Sequence, residues 1–522
     1  MMSWAQTPVP REQLVLFSTT LDERIPADHS VRLLVEILDI QDWREWERHY
    51  VLVEGQPPIH PKIVAGALLY GLTVGIRSSR RLEYMCGHSI DFMWLTEGRV
   101  IDHSTFCDFR TRFHRELKDL FRQINLIAMR MGLIRLNQVA YDGSRVKANS
   151  SRQHTASAET LDERLAALDA HIEEMFAQID QTDQADLFGD SCSLTSLPRS
   201  LADMQRRQEA LRKALKAARA MDVKRQKRSD ARKKAAKVPV ADPDSAILPN
   251  KEGGHAPNFN PLAAVDGHRG FIVEADVISG TPEGETVIPT IERIAASLGT
   301  NPEQFLADTA FATGQNLADL QSRGVEPFMP VEQARLQEDN PALRPDPTQP
   351  VAKEDWPKLP RNPQSKKLDR AGFVYEASKD CYYCPIGRRM NRSGMTRDRK
   401  QCGDSIYQLY RCVDCSGCPL ATECLGKKAR TRTVSRDQHE PLRRAQAARM
   451  TSERGQRIYS RRAWIAETPL AFIKTWMGIR QFLLRGLGKV RTEWLWACTA
   501  FNLRKLIREI AKLRARFSVT RG

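Results

Sequence analysis

A chain of 522 residues with 80 Lys plus Arg against 64 Asp plus Glu carries a net charge of +16 and a pI near 9.4. That is the electrostatic footprint of a phosphate-backbone binder, set against the plainer reading of a merely basic surface, and the length suits roughly two to four domains. The longest uncharged apolar run, Ile63 to Ile76, is too short for a bilayer, and Met-Met-Ser-Trp-Ala-Gln lacks a signal-peptide pattern. The expectation is a cytoplasmic, nucleoid-associated protein with double-stranded DNA as its partner and no membrane.

Residues 1–130 read as an all-helical domain of DNA-binding type, with Val31, Leu34, Ile37 and Leu38 at helical spacing before the Ile63 to Ile76 run. Arg77-Ser-Ser-Arg80-Arg81 and Asp102-His-Ser104-Thr each open a further helix, with Ser79 or Ser104 expected as the N-cap. Arginines near such first turns suit the DNA backbone, or are simply solvated.

Residues 138–148 read as a strand whose apolar run ends on Asp142, followed by glycine. Residues 150–254 interrupt it. There Leu161, Leu165, Leu168, Ile172, Met175 and Ile179, then Leu201, Met204, Gln208, Leu211, Leu215 and Ala218, predict two heptad-spaced helices in an antiparallel hairpin. The second runs into a basic tail, Lys224–Arg228 and Arg232–Lys234, which either lies along DNA or is solvated.

From residue 255 strands resume at Leu262–Val265 and Phe271–Val277 around the turn signal Asp266-Gly-His-Arg-Gly. A helix follows at Val287–Ser297, then a short apolar strand ending on Asp308. Residues 330–370, rich in Pro, Gln and Asp, read as a linker; a Cys-rich segment spans 375–430, and helices run from 437 to the end.

Acids at the ends of two strands plus a Glu on a later helix suit two-metal phosphoryl transfer, because two divalent cations need a bridging carboxylate and one more on each side. Hard oxygen donors select Mg²⁺ or Mn²⁺. The later Glu stands in Tyr459-Ser-Arg-Arg462-Ala-Trp-Ile-Ala-Glu467-Thr-Pro-Leu-Ala-Phe-Ile-Lys474. Seven residues are about two helical turns, so Glu467 and Lys474 share a face.

These segments together resemble the DDE transposases of bacterial insertion sequences, in the branch with a Y-x2-R…E-x6-K signature. Ala140-Tyr-Asp142-Gly-Ser-Arg-Val-Lys-Ala-Asn149 is similar to the first-Asp segment, Leu306-Ala-Asp308-Thr-Ala-Phe-Ala-Thr-Gly to the second, and Tyr459, Arg462, Glu467 and Lys474 to the third. Phe482-Leu-Leu-Arg485-Gly, Asn502-Leu-Arg-Lys-Leu, Ile59-His-Pro, Gly75-Ile-Arg-Ser-Ser-Arg80 and Asp102-His-Ser-Thr add to the likeness. Two departures stand out: Asn258-Phe259-Asn260-Pro in place of the usual Tyr-Asn-x-Gln, and Thr-Pro-Leu-Ala-Phe after Glu467, which bears on where that helix starts.

The resemblance implies an α/β RNase H-like catalytic core built from 138–149, 255–325 and 437–522. Around it come the helical N-terminal domain (1–130), the hairpin insertion with its basic tail (150–254), and a linker with a small Cys-rich insertion (326–436). It implies Asp142, Asp308 and Glu467 as ligands of two Mg²⁺ or Mn²⁺ ions, and Arg462 and Lys474 on phosphate, with Tyr459, Arg485 and Arg80 also expected on DNA. The activity implied is cleavage at terminal inverted repeats and joining to target DNA, by a homodimer on DNA. The alternatives are a metal-dependent nuclease of the same fold without strand transfer, and a non-catalytic zinc-bearing DNA-binding regulator.

Eleven cysteines in a cytosolic chain point to metal or burial rather than disulfides. Cys86, Cys107, Cys192 and Cys498 are scattered, whereas Cys381, Cys384, Cys402, Cys412, Cys415, Cys418 and Cys424 crowd together. Cys384, Cys415, Cys418 and Cys424 make a four-thiolate set for one structural Zn²⁺, with Cys381 and Cys412 as rival ligands. Reduced, buried thiols are the other reading.

Overall fold

The computed structural model describes residues 20–519 apart from 51–57, 187–196, 227–234, 250–252, 281–282, 332–339, 363, 399–404 and 427–428. Cys192, Cys402 and most of the basic tail lie outside the described residues. The chain divides into two compact units.

The first unit takes the chain up to Ile124, then Ile473–Ile479, then the chain from Thr492. Its early helices are α1 (Ser30–Asp39), α2 (Arg44–Glu47), α3 (Pro61–Thr73), α4 (Ser79–His88), α5 (Ile90–Leu95), α6 (His103–Arg112) and most of α7 (His114–Arg130). Val31, Leu34, Ile37 and Leu38 are buried on α1, as their spacing predicts. The caps sit earlier than expected. Ser78, in extended conformation, accepts from the Arg81 amide, and the Asp102 carboxylate accepts from the Ser104 amide at 2.7 Å. In each case the last extended residue before the helix carries an oxygen, so it takes the N-cap and the expected serine becomes helical. The chain after Thr492, expected in the catalytic core, packs here instead. Trp496 lies 6.3 Å from Trp46 and donates to the Arg110 carbonyl at 3.1 Å, and Arg77 pairs with Glu493 at 2.8 Å. Two large indoles, each 2% exposed, add apolar area to this aromatic core.

The second unit is built on a mixed sheet. In chain order its elements begin β1 (Gln138–Gly143), β2 (Val146–Lys147), β3 (Thr155–Ala156), α8 (Ala158–Asp186), α9 (Leu197–Gln226), β4 (Val238–Pro239) and β5 (Ala246–Pro249). Next come β6 (His255–Asp266), β7 (Ile272–Ile278), α10 (Val287–Leu298), β8 (Gln304–Leu306), α11 (Gly314–Ser322) and β9 (Glu326–Phe328). The central order is β7-β6-β1-β8-β9, antiparallel through β1 and parallel after it. Val139, Ala140, Tyr141 and most of β6 are buried, as strands covered on both faces must be. The turn signal holds: fully buried Asp266 accepts from the amides of Leu136 and His268 at 2.8 and 2.9 Å, tying the β6–β7 hairpin to the approach of β1.

Helices α8 and α9 run antiparallel around Leu161, Leu211, Ala214, Leu215 and Ala218. Arg219 reaches Asp162 at 2.8 Å and Gln208 reaches Asp169 at 2.5 Å, the descending and ascending registers of one hairpin.

Downstream, β10 (Val374–Glu376), β11 (Cys381–Tyr383), β12 (Arg389–Asp398), β13 (Ser405–Cys412) and β14 (Thr433–Asp437) form an antiparallel sheet in chain order, with α12 (Ala421–Cys424) between the last two. The segment read as a linker is in part structural. Ala342, Val351, Leu359 and Leu368 pack with Tyr382, Met390 and Tyr410 in this sheet's core, and the Val351 amide donates to the Pro385 carbonyl at 2.8 Å. Proline there suits irregular chain that is nonetheless buried. The unit closes with α13 (Glu440–Thr451), α14 (Glu453–Tyr459), most of α15 (Arg461–Thr475) and the start of α16 (Leu487–Val519).

One buried acid makes this unit's stability depend on pH. Asp242 is 1% exposed; one oxygen accepts from the Gly486 amide at 3.1 Å and the other has no partner. Burial pushes its carboxyl up to about 6. The unfolded group ionises near 3.9 and the folded one only at about 6, so raising the pH from 4 to 6 costs the folded state roughly 2–3 kcal/mol and nothing further above. Urea midpoints at pH 4.5 and 7.5 are expected to show Asp242→Asn gaining on the parent at the higher pH. Parallel pH dependences for the two proteins would refute this.

Candidate active site

The register of the parallel pair β1–β8 decides where the two aspartates stand. Gln138 pairs with Gln304, Val139 with Phe305 and Ala140 with Leu306. Two residues further along each strand come Asp142 and Asp308, which therefore leave the sheet at one level on neighbouring strand ends. Asp142 accepts from the Gly143 amide at 2.8 Å, and Asp308 caps a 3₁₀ turn, Thr309–Phe311, by accepting from the Ala310 amide at 2.8 Å.

Because strand side chains alternate, Tyr141 and Asp142 serve opposite faces of the sheet. The Tyr141 hydroxyl donates to Thr286 at 2.9 Å, just before α10. Asp142 instead meets α15, where Arg462 bonds its Oδ2 at 3.0 Å, with both side chains only 16–17% exposed. Burial pushes the Asp142 carboxyl above the usual carboxylate range while the Arg462 guanidinium pulls it back, and Asp308 lies near enough to add its own charge. Tyr459, the last residue of α14, lies with its ring 5.7 Å from the Arg462 guanidinium, and burial raises its phenol.

Glu467 sits on α15 with an exposed side chain. Five residues turn a helix by about 140° net, so it points well away from the face that carries Arg462 and buried Ile465 and Ala466. Arg461, at the start of α15, donates to Gln138 at 2.7 Å, and the Phe482 amide donates to Lys147 at 2.9 Å, so the chain from α15 follows β1 toward β2. Lys474 follows Glu467 on the same helix, about 20° away in azimuth. Pro469 lies inside α15 rather than at its start. Arg485 donates to the Asn149 carbonyl at 2.9 Å, and Arg80 is exposed in the first turn of α4.

A fourth acid went unread in the sequence. Glu283 opens a 3₁₀ turn, Glu283–Thr286, and accepts from Asn260 at 2.5 Å. Burial raises its carboxyl, and both Asp142 and Asp308 lie within range of its charge. Its one signal was an acid between Pro282 and Gly284, just past a predicted strand. Phe259 proves to be a core ring, fully buried and edge-on to Phe482 at 6.0 Å; it is the neighbouring Asn260 that bonds Glu283.

The cysteines gather elsewhere in this unit. Cys384, Cys412, Cys415, Cys418 and Cys424 line one small cavity with Arg388 and Arg432. A bond from Cys412 draws the Cys384 thiol down to about 6 and moves Cys412 upward, while burial pushes Cys424 up to about 11. Of the two rival ligands, Cys412 lines the cavity, whereas buried Cys381 is absent from its lining.

Two family models match this chain: Transposase DDE domain over residues 383–507, and Transposase domain (DUF772) over residues 19–112. The chain belongs to the insertion-sequence DDE transposases. No curated protein matches it. A transposase acts on DNA, and the DDE domain implies an RNase H-like fold, with which the mixed β7-β6-β1-β8-β9 sheet agrees. The first match takes in the cysteine cavity, Arg462, Glu467, Lys474 and Arg485 of this transposase; the second takes in Arg80. DDE domains in general use divalent metal ions. No described helix of the transposase is long and apolar enough to cross a membrane.

Proposed function

We propose that this transposase binds the terminal inverted repeats of its element, cleaves DNA there and joins the freed 3′-OH to target DNA. The reading rests on the register that sets Asp142 and Asp308 at one level. Asp142, Asp308 and Glu467 hold two Mg²⁺ or Mn²⁺ ions, which when bound activate the attacking oxygen and stabilise the leaving one. Hydrolysis breaks the P–O3′ bond, the water oxygen goes to phosphorus and the 3′ oxygen leaves as the hydroxyl; in joining, that hydroxyl attacks a target phosphodiester and displaces another 3′ oxygen.

The chain's cations orient the strand. Arg462, neutralising Asp142 across 3.0 Å, reaches the scissile phosphate, and Lys474 acts as a point charge on the next one. Tyr459 steadies the Arg462 guanidinium, and Arg485 and Arg80 contact backbone. A homodimer brings two ends together on DNA. The test is a linear DNA carrying the sequences that flank the coding region, incubated with protein and Mg²⁺ or Mn²⁺. Nicked and joined products support the proposal; hydrolysis without joining leaves a nuclease, and no cleavage in either metal defeats both readings.

Binding to those ends is expected to weaken linearly in log–log plots against salt, with about 0.9 units of slope for each phosphate neutralised. A salt-independent affinity would mean that the +16 charge plays no part.

Cys415, Cys418, Cys424 and one of the Cys384–Cys412 pair hold one structural zinc. Their donor chemistry fits a closed four-thiolate site. Neither these sulfurs nor the carboxylates of Asp142, Asp308 and Glu467 bring three ligand atoms within 4.8 Å of one another; among the described residues Glu83, Asp102 and His103 do.

A further inference from the structure

We propose that Glu283 is a further cation-binding carboxylate of the catalytic site, and that Asn260 is the residue that aims it. This rests on the two-cation reading of Asp142 and Asp308 above. Both acid-bearing segments are bolted to the turn that carries Glu283. On the Asp308 side, Asn316 donates to the Gly284 carbonyl at 2.7 Å and to the Phe311 carbonyl at 2.8 Å, joining the two 3₁₀ turns through one buried amide. The approach is close enough that a Cβ at Gly284 would lie 3.1 Å from Thr313 and 3.4 Å from the Ala310 carbonyl. On the Asp142 side, the Tyr141 hydroxyl reaches Thr286, three residues past Glu283, at 2.9 Å.

Asn260 completes the frame. It is 3% exposed, its amide nitrogen donates to Glu283 at 2.5 Å, and its amide oxygen lies 2.8 Å from where a Cβ on Gly143 would stand. Glycine after Asp142 thus leaves room for the amide that orients Glu283. A Gln at 283 would keep an oxygen for that bond, so charge rather than architecture distinguishes the two side chains. Glu283 stands on the turn just before α10, within range of the charges of both Asp142 and Asp308. A purely structural Glu would need neither proximity to two other acids nor a buried amide holding it there against their repulsion.

The full-length protein is titrated with Mn²⁺ alone, free ion being counted by electron paramagnetic resonance, with Asp142→Asn as the control that removes a core ligand. Glu283→Gln is expected to weaken Mn²⁺ binding about tenfold or more at unchanged thermal midpoint, and to shift the Mn²⁺ dependence of cleavage by the same factor. Asn260→Ala, which leaves every carboxylate in place, is expected to weaken it by a smaller factor, and it carries the test if Glu283→Gln misfolds. If both variants titrate like the parent while Asp142→Asn loses its ions, the role of Glu283 is overturned and the catalytic reading stands. If Asp142→Asn also binds Mn²⁺ as the parent does and the parent cuts no DNA, both fall together.

Discussion

Asp142→Asn and Asp308→Asn are each expected to reduce cleavage of element ends by about 10³-fold or more while end binding stays near that of the parent. A lost ligand removes several kcal/mol of charge stabilisation from the transition state, and each 1.36 kcal/mol is tenfold in rate. The two changes differ in their local effect. Asp142 is the buried partner of Arg462 at 3.0 Å, so its neutralisation also frees a guanidinium that is 16% exposed, whereas Asp308 is a turn cap whose amide replacement keeps an oxygen for the Ala310 amide. Asp142→Asn is therefore expected to alter thermal stability as well, and Asp308→Asn to leave it unchanged. Glu467→Gln is expected to match them in cleavage without any change in stability, because its side chain is exposed. Parent-like nicking rates by any of the three, measured on a labelled end substrate, would remove that residue from the site.

The second large effect is expected at the cysteine cavity. Protein purified under reducing conditions should carry about one zinc per chain, and Cys415→Ser with Cys418→Ser should lose it. Structural zinc contributes its binding energy to folding, about 10–16 kcal/mol in isolated zinc peptides. Here the five-stranded sheet has its own core of Tyr382, Met390 and Tyr410, so the loss should loosen residues 340–437 without unfolding the other sheet. Limited proteolysis followed by mass spectrometry reads this directly: new cuts confined to that span are the expected result. Metal-free protein with an unchanged digestion pattern would establish that the thiols are simply buried.

The strands that lead to Asp142 and Asp308 were legible because each ends an apolar run on an acid, a pattern written in adjacent residues. The same holds for the α8–α9 hairpin, where Leu161, Leu211 and Leu215 follow heptad spacing, and for the helix carrying Glu467 and Lys474. What the sequence concealed depends on distant partners. Glu283 gains its meaning from Asn260, 23 residues upstream, and no periodicity links a turn to the middle of a strand. The stretch before the cysteines looked like linker because proline and polar residues outnumber its few apolar ones. Yet Val351, Leu359 and Leu368 suffice to bury it against a ready-made sheet. The chain from Thr492 passed for catalytic core because its amphipathic helix names no partner; Trp46 and Arg110 supply one.

The pairing of Asp142 with Arg462 spans 320 residues of chain, and this sets a timetable for the molecule's synthesis. At about 5–20 residues per second, a ribosome that has finished the first aspartate strand needs roughly 16 to 64 s more to deliver the arginine that neutralises it. Throughout that interval the emerging polypeptide lacks both the Arg462 partner of Asp142 and the helix of Glu467. The α-helical unit waits longer still, since Trp496 belongs to its core. Both units are thus completed by residues translated long after they begin, and a chain broken between Asp142 and Arg462 leaves both without their closing partners.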